Sequence, residues 1–331
     1  MREDDVVAAI RAIVEPGGAT SVLLGIGDDA AIWQPSRSNR SAITTDALVE
    51  GVHFSRDLMT LYDAGWRAIV ANASDLAAMG ARPVLATVAL GVPADTGEAS
   101  IVELYRGIAA AASATGLTIA GGDLTRAPVL TISVAAVGEV RPSNVKTRSG
   151  GRPGGVLAVT GPLGAARAGL ALARAGSKAG PEASAALDAF RRPQARCAEG
   201  RFLAASRNVE AMMDLSDGLS TDLLRLCAAS GCGALLSAVP AAQSARAVAA
   251  ERGEDPERFA LAGGEDFELL VAVRPRAFDY LAKRFERRFG RPLHRIGTLR
   301  AGSGIALARD GGEEAVGATG WDHFTPAEVL A

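Results

Sequence analysis

Apolar residues recur at helical spacing from the start of the chain, at Val6, Val7, Ile10, Ile13 and Val14, and Pro16-Gly17-Gly18 closes that helix. The apolar run Val22 to Leu24 predicts a strand, which leads into the loop Gly25-Ile26-Gly27-Asp28-Asp29. Ala42 to Leu48 predicts a strand centred on Thr44-Thr45-Asp46, and residues 61 to 79 a helix ended by Gly80 and Pro83. Val84 to Leu90 reads as a strand, Glu98 to Thr115 as a helix stopped by Gly116, and Leu117 to Ala120 and Val129 to Val140 as strands. The mixture predicts an α/β (α+β) sandwich with helices covering one face of a sheet.

Between Arg141 and Gly155 the sequence turns to Pro, Gly, Ser, Arg and Lys before a strand resumes at Val156 to Thr160, so the boundary is set between domains 1–145 and 146–331. The second half predicts helices at 163–175, 195–206, 219–229, 241–252 and 277–289. Its strands are expected at Ala211–Met213, 233–239, Phe267–Val273 and Arg295–Leu299. The alanine-rich stretch 172–188 contains Pro181 and several glycines, and reads as helix, loop, helix.

Two domains suit a chain of 331 residues, and 48% apolar with 22% charged residues excludes global disorder. A net charge of −2 argues against a nucleic-acid partner. The start Met-Arg-Glu-Asp-Asp is unlike a secretory signal and no long apolar run follows, which points to the cytoplasm and away from a membrane. Cys197, Cys227 and Cys232 are too few and too unevenly placed for a disulfide framework, and Cys227 and Cys232 suit a buried apolar role better than zinc.

The candidate chemistry lies in carboxylates beside glycines or at strand ends: Asp28-Asp29, Asp46, Asp75, Gly121-Gly122-Asp123, Asp214 to Gly218, and Gly263-Gly264-Glu265-Asp266. Glycine lets backbone approach a ligand and carboxylates supply hard oxygens for Mg²⁺, a pairing that suits phosphate chemistry. Each has a plainer alternative. Asp28-Asp29 could be a turn or cap; Asp75, inside an apolar helix with Asn72 one turn earlier, a satisfied core pair; Ser216 or Asp217 a helix cap. The P-loop and the protein-kinase landmarks are absent. The run Lys283, Arg284, Arg287, Arg288, Arg291, Arg295 reads as a solvated face with His294 at the surface, while His53 beside the Asp46 strand is the better site candidate.

Eight segments in order resemble the thiamine-monophosphate kinase family of the aminoimidazole-ribonucleotide-synthetase-like superfamily. They are GIGDDAA (25–31), TTDALVEGVHF (44–54), NASDLAAMGA (72–81), GGDLTR (121–126), TRSGGRPG (147–154), DLSDGLSTDL (214–223), GGEDFELL (263–270) and GWDHF (320–324). The resemblance implies Mg²⁺ ligands at Asp29, Thr44, Thr45, Asp46, Asp75, Asp123, Asp214 and Asp217. It implies ATP contacts at Tyr105, Gly122, Asp123, Arg148 and Ser216, and thiamine-phosphate contacts at His53, Glu265 and Trp321. Tyr105, outside any glycine motif, and Trp321, in the tail, also suit packing roles.

The activity implied is phosphorylation of thiamine monophosphate by ATP, the last step of thiamine diphosphate formation, by direct in-line transfer. With the acceptor already dianionic, no general base is implied. The fold implied is a two-domain one, its N-terminal sheets pairing into a barrel in a homodimer. Sister families fit less well: no cysteine precedes Cys197, the chain ends in Ala331 rather than cysteine, and intact acids speak against a non-catalytic nucleotide-binding module.

Overall fold

The computed structural model describes residues 3–14, 21–26, 30–176 and 180–321. They divide into two compact units, the first running to Leu76 and resuming over Ala81–Pro142, the second taking Ala77–Gly80 and the described residues from Ser143 onward.

The first unit contains α1 (Glu3–Val14), β1 (Val22–Leu24), β2 (Ile32–Trp33), β3 (Arg40–Val49), most of α2 (Leu61–Ala78), β4 (Arg82–Val92), α3 (Glu98–Thr115), β5 (Thr118–Arg126) and β6 (Thr131–Val140). β1 and β2 pair with each other, and the other four strands form a sheet ordered β3-β6-β4-β5, antiparallel except for β4 and β5. That parallel pair needs a crossover, which α3 supplies. Ile132, Val134 and Ala136 of β6 are buried while Ala135 among them is exposed, so one face of the sheet is covered. α2 lies on the covered face, where Thr44 Oγ1 donates to Asp75 at 2.5 Å. α2 and α3 touch backbone to backbone: a Cβ at Gly65 would stand 2.2 Å from the Leu104 carbonyl oxygen, and one at Gly107 would stand 1.9 Å from that of Tyr62. The other face is open around Ile43, 76% exposed, while at one end Val22 of β1 and Trp33 of β2 pack with Leu85 and Val137.

The second unit contains β7 (Val156–Val159), α4 (Ala165–Arg174), α5 (Pro181–Arg191), α6 (Cys197–Ala204), β8 (Val209–Asp214), α7 (Leu219–Ser230), β9 (Gly233–Leu236), α8 (Gln243–Glu251), α9 (Pro256–Leu261), β10 (Leu269–Val273), α10 (Phe278–Phe289), β11 (His294–Arg300), β12 (Ile305–Arg309) and β13 (Gly312–Val316). Its seven-stranded sheet is ordered β13-β12-β9-β11-β7-β10-β8. β7 and β10 are buried at every position, which is why they read as unbroken apolar runs. Leu219, Leu223 and Leu226 of α7 pack on one face with Val159, Met213 and Leu270. Phe278, Leu281 and Phe285 of α10 pack on the other with Val156, Met212 and Val271.

Several elements depart from the sequence expectation. β5 does not stop at Ala120 but runs on through Gly121-Gly122-Asp123, because after a register shift at Ala120 the ladder with β4 resumes from Thr87 to Val92, and Gly122 fits where a Cβ would lie 2.1 Å from the Val88 carbonyl oxygen. α9 was not expected, although Asp255 accepts hydrogen bonds from the N–H groups of Glu257 and Arg258 and Pro256 follows it, a helix-start signature. The short strands β2, β12 and β13 were also not expected. Arg291 is not part of a solvated face, for it is tied to buried Glu268 and to Glu199; His294 is half-buried in β11, and burial lowers its pKa. Cys227 and Cys232 lie in the core as expected. Among the described residues no helix is long and apolar enough to cross a membrane.

Candidate active site

In the first unit, β3 is an edge strand whose register sets out three candidate donors. Thr44 and Asp46 share the covered face, where Thr44 bonds Asp75; Thr45 points to the open face and its hydroxyl donates to the Val134 carbonyl at 2.9 Å. Glu50 N–H donates to the Leu130 carbonyl, so even-numbered residues of β3 bond to β6 and odd-numbered ones turn their N–H and C=O to the outer edge. The oxygen that Thr45 offers at that edge is therefore its main-chain carbonyl. Further along, the outward Val49 N–H donates to His53 Nδ1 at 3.0 Å, and His53 N–H returns to the Val49 carbonyl at 2.9 Å. A neutral imidazole that accepts at Nδ1 carries its proton on Nε2, so His53 is set up as a hydrogen-bond donor suited to a phosphate oxygen. Arg67, buried in α2, reaches the His53 carbonyl at 3.5 Å and Phe54 is buried beside it in sequence, which fixes the loop.

Asp123 lies on β5, opposite Ala89 on the open face, whereas Asp46 aligns through Val134 and Val88 on the covered face. Two strands separate β3 from β5, a span of about 14 Å at ordinary strand spacing, so one chain's sheet does not bring these two carboxylates to a single ion. Gly122 adjoins Asp123 on β5, and Tyr105 is a core residue of α3 whose phenol pKa is raised by burial. Asp29 lies outside the described residues.

In the second unit two motifs fold onto each other. Glu265 N–H donates to the Ser216 carbonyl at 2.7 Å, Phe267 N–H to that of Leu215 at 3.0 Å, and Leu215 N–H to that of Glu268 at 2.8 Å. Gly264 permits the approach, since a Cβ there would stand 2.8 Å from the Ser216 oxygen. Glu265 and Phe267 adopt φ of 64° and 49°, a left-handed backbone that costs about 1–3 kcal/mol per residue and persists only where the surroundings hold it. Asp266 supplies part of that hold, accepting from Gly164 N–H at 2.6 Å and Ala166 N–H at 3.3 Å. Burial pushes its carboxyl up to about 7, against the opposing effect of those two bonds.

Asp222, fully buried on α7, accepts from the N–H groups of Asp217 and Gly218 at 3.0 and 3.1 Å. Arg225 bridges Asp217 and Asp222, lying 2.8 Å from the latter. Burial first, and the Asp217 charge second, push the Asp222 carboxyl up to about 6. Asp214 ends β8 and is buried. The segment carrying Arg148 runs beside β8, where Met212 N–H donates to the Thr147 carbonyl and Ser230 Oγ to the Arg148 carbonyl at 2.6 Å; the Arg148 side chain is exposed. Trp321 N–H donates to the Asp217 carbonyl at 3.0 Å. Ser216, Asp217, Glu265 and Trp321 thus converge on one turn.

The AIR synthase related protein N-terminal domain model matches residues 27–140, and the C-terminal domain model matches residues 152–310. A thiamine-monophosphate kinase of Mycobacterium tuberculosis (strain ATCC 25618 / H37Rv) is 37% identical over 92% of this chain and 86% of its own length. The chain belongs to the thiamine-monophosphate kinase family. A solved thiamine-monophosphate kinase from Stenotrophomonas maltophilia K279a superposes with a TM-score of 0.82 at 34% identity, covering 96% of this chain and 98% of that one. A second solved structure, AaThiL complexed with AMPPCP and TMP, superposes with a TM-score of 0.77 at 30% identity over 98% and 99% of the two chains.

Against that family pattern, the acids and hydroxyls of this chain form a donor set of the right kind for Mg²⁺, all hard oxygens. Among the described residues no group of three or more His, Cys, Asp or Glu side chains is assembled around one point. Asp222 and Arg225 were missed as parts of the candidate site by sequence reasoning, whereas Asp266 was singled out with Glu265 in the glycine-acid motif but not as a support of the loop. The signal for Asp222 was available: it falls on the stripe of Leu219, Leu223 and Leu226, and an acid among core leucines needs partners. Arg225 had no comparable signal.

Proposed function

We propose that this chain transfers the γ-phosphoryl group of ATP to thiamine monophosphate, giving ADP and thiamine diphosphate. The convergence of Glu265 and Trp321 on the turn of Ser216 and Asp217 carries the reading, because it sets the expected acceptor contacts directly beside the expected nucleotide and metal contacts. The family membership and the AMPPCP and TMP bound by a relative similar over nearly the whole chain support it.

Asp29, Asp46, Asp75, Asp123, Asp214 and Asp217, with the oxygens of Thr44 and Thr45, would hold several Mg²⁺ ions, which supply neutralisation of phosphate charge. Because Asp46 and Asp123 face opposite sides of the sheet, they would serve separate ions. Arg148, Gly122, Asp123, Ser216 and, less directly from its buried position, Tyr105 would form the nucleotide side. His53 would donate from Nε2 to the acceptor phosphate. The acceptor's own dianionic oxygen is the nucleophile, so what this chain supplies is alignment, charge compensation and exclusion of water. Direct in-line transfer without a phosphoenzyme follows.

We place ATP, Mg²⁺ and dimerisation in domain 1–145, and phosphate and acceptor contacts in domain 146–331. The open sheet face around Ile43 is the surface we assign to a homodimer contact, and the cytoplasm is the compartment we assign. Purified protein with ATP, Mg²⁺ and thiamine monophosphate should form thiamine diphosphate, with free thiamine as an inactive control. Absence of product from folded protein would overturn the reading.

A further inference from the structure

Residues 319–321 are zipped onto the first turn of α7 by hydrogen bonds that reach back about a hundred residues. Ser220 Oγ and Thr319 Oγ1 lie 2.9 Å apart, Thr319 N–H donates to Ser220 Oγ at 3.2 Å, and Gly320 N–H donates to Thr221 Oγ1 at 3.1 Å. Trp321 N–H then donates to the carbonyl of Asp217. Gly320 is the point of closest approach: a Cβ there would stand 1.9 Å from the Asp217 carbonyl oxygen and 2.7 Å from Thr221 Oγ1. Its contact is with main chain, so no rotamer change relieves it.

We propose that Ser220, Thr221 and Gly320 are positioning residues for acceptor recognition, a latch that sets Trp321 at the acceptor end of the site and locks its place to the Asp217 turn. This rests on the thiamine-monophosphate reading above. Each member acts through another: the two hydroxyls of α7 grip the segment 319–321, Gly320 lets it sit flush, and the Asp217 carbonyl fixes the next residue, Trp321. The same turn is braced from within by Asp222 and Arg225, so the tail docks on a surface already rigid. A tail that only needed anchoring could be held by apolar contact anywhere on the unit. Instead its polar contacts are to the turn that carries the candidate metal ligand. The consequence is a geometric link between acceptor and nucleotide sides.

The test uses the full chain with steady-state kinetics for both substrates, a melting curve and calorimetric binding of thiamine monophosphate. Gly320→Ala should raise KM for thiamine monophosphate about tenfold, in the range expected for a misplaced cation–π contact, with KM for ATP within about twofold. Thr221→Val should raise it about threefold and Thr221→Ser should restore it, a milder pair that remains informative if Gly320→Ala folds poorly. In a Trp321→Ala background Gly320→Ala should add little, because both remove the same contact. A fall in melting temperature with acceptor KM and binding unaltered, or full additivity with Trp321→Ala, would overturn the latch while the wild-type activity stands. A wild-type protein inactive on thiamine monophosphate would overturn the parent reading and the latch with it.

Discussion

The two units carry their candidate ligands in different ways. In the first, Thr44, Asp46 and Asp123 are residues of regular strands, placed by ladder register alone, and the backbone around them is unstrained. In the second, Ser216, Asp217 and Glu265 sit on loops, one of them with left-handed residues, and these loops are held by a dense set of polar contacts. A sheet fixes side chains at low cost because every residue is already bonded to a neighbour. A loop can aim groups that no strand could, but only where buried partners fix it. Substitution in the first unit should therefore alter chemistry with little change in stability, and substitution of the supports in the second should alter stability.

The largest effect is expected at Glu268, which is buried and receives both Arg196 Nε at 3.0 Å and Arg196 Nη2 at 2.6 Å, with Thr160 Oγ1 at 2.5 Å. Glu268→Ala strands partly buried Arg196 and leaves Arg291 only Glu199 and the Thr160 carbonyl, and should cost about 3–5 kcal/mol, or roughly 6–20 °C in melting temperature for a unit of this size. A melt within about 2 °C of wild type would remove the contrast between the units.

Next come Asp46→Asn and Asp75→Asn, each expected to lower kcat at least about a hundredfold with the melt nearly unchanged. If either variant turns over at near wild-type rate in limiting Mg²⁺, its strand or helix position is not part of the ligand set. Arg148→Ala, on an exposed side chain beside β8, should raise KM for ATP by about tenfold or more with less change for the acceptor, a loss of roughly 1.5–3 kcal/mol of charge-assisted bonding. The reverse pattern would move Arg148 to the acceptor side.

The last effect is read in pH. The Asp266 carboxyl is raised from 3.8 to about 7 in the folded chain, so the native state holds its proton more tightly than the unfolded state. Its contribution to stability is full at pH below about 4 and is lost as pH rises through about 7. Asp266→Asn should flatten the melting-temperature profile across that window, and an unchanged slope would show that Asp266 ionises normally.

How much of this was legible beforehand can be read from particular residues. Helix α3 was predicted at its observed bounds, because apolar spacing and a terminal glycine are local signals. Asp75 was legible as an acid in an apolar helix that needs a partner; it is half-buried, and Thr44 is that partner while the amide of Asn72 donates to the Ala68 carbonyl. The extension of β5 through a glycine-acid motif was not legible, since glycine usually marks a turn and only the neighbouring ladder overrides it. Nor was the internal bond of His53 to Val49, which depends on β3 being an edge strand.

By itself the sequence determined which residues are candidates for the chemistry, that the chain is long enough for two units, and the family it belongs to, because these depend on residue type and spacing along the chain. Which carboxylates share a face, which are braced by Arg225 or Asp222, and that Gly320 lies against Asp217 were decided only by the tertiary structure. Those relations join residues far apart in the chain, and their energies arise from burial and hydrogen-bond geometry that exist only once the sheets and helices have packed.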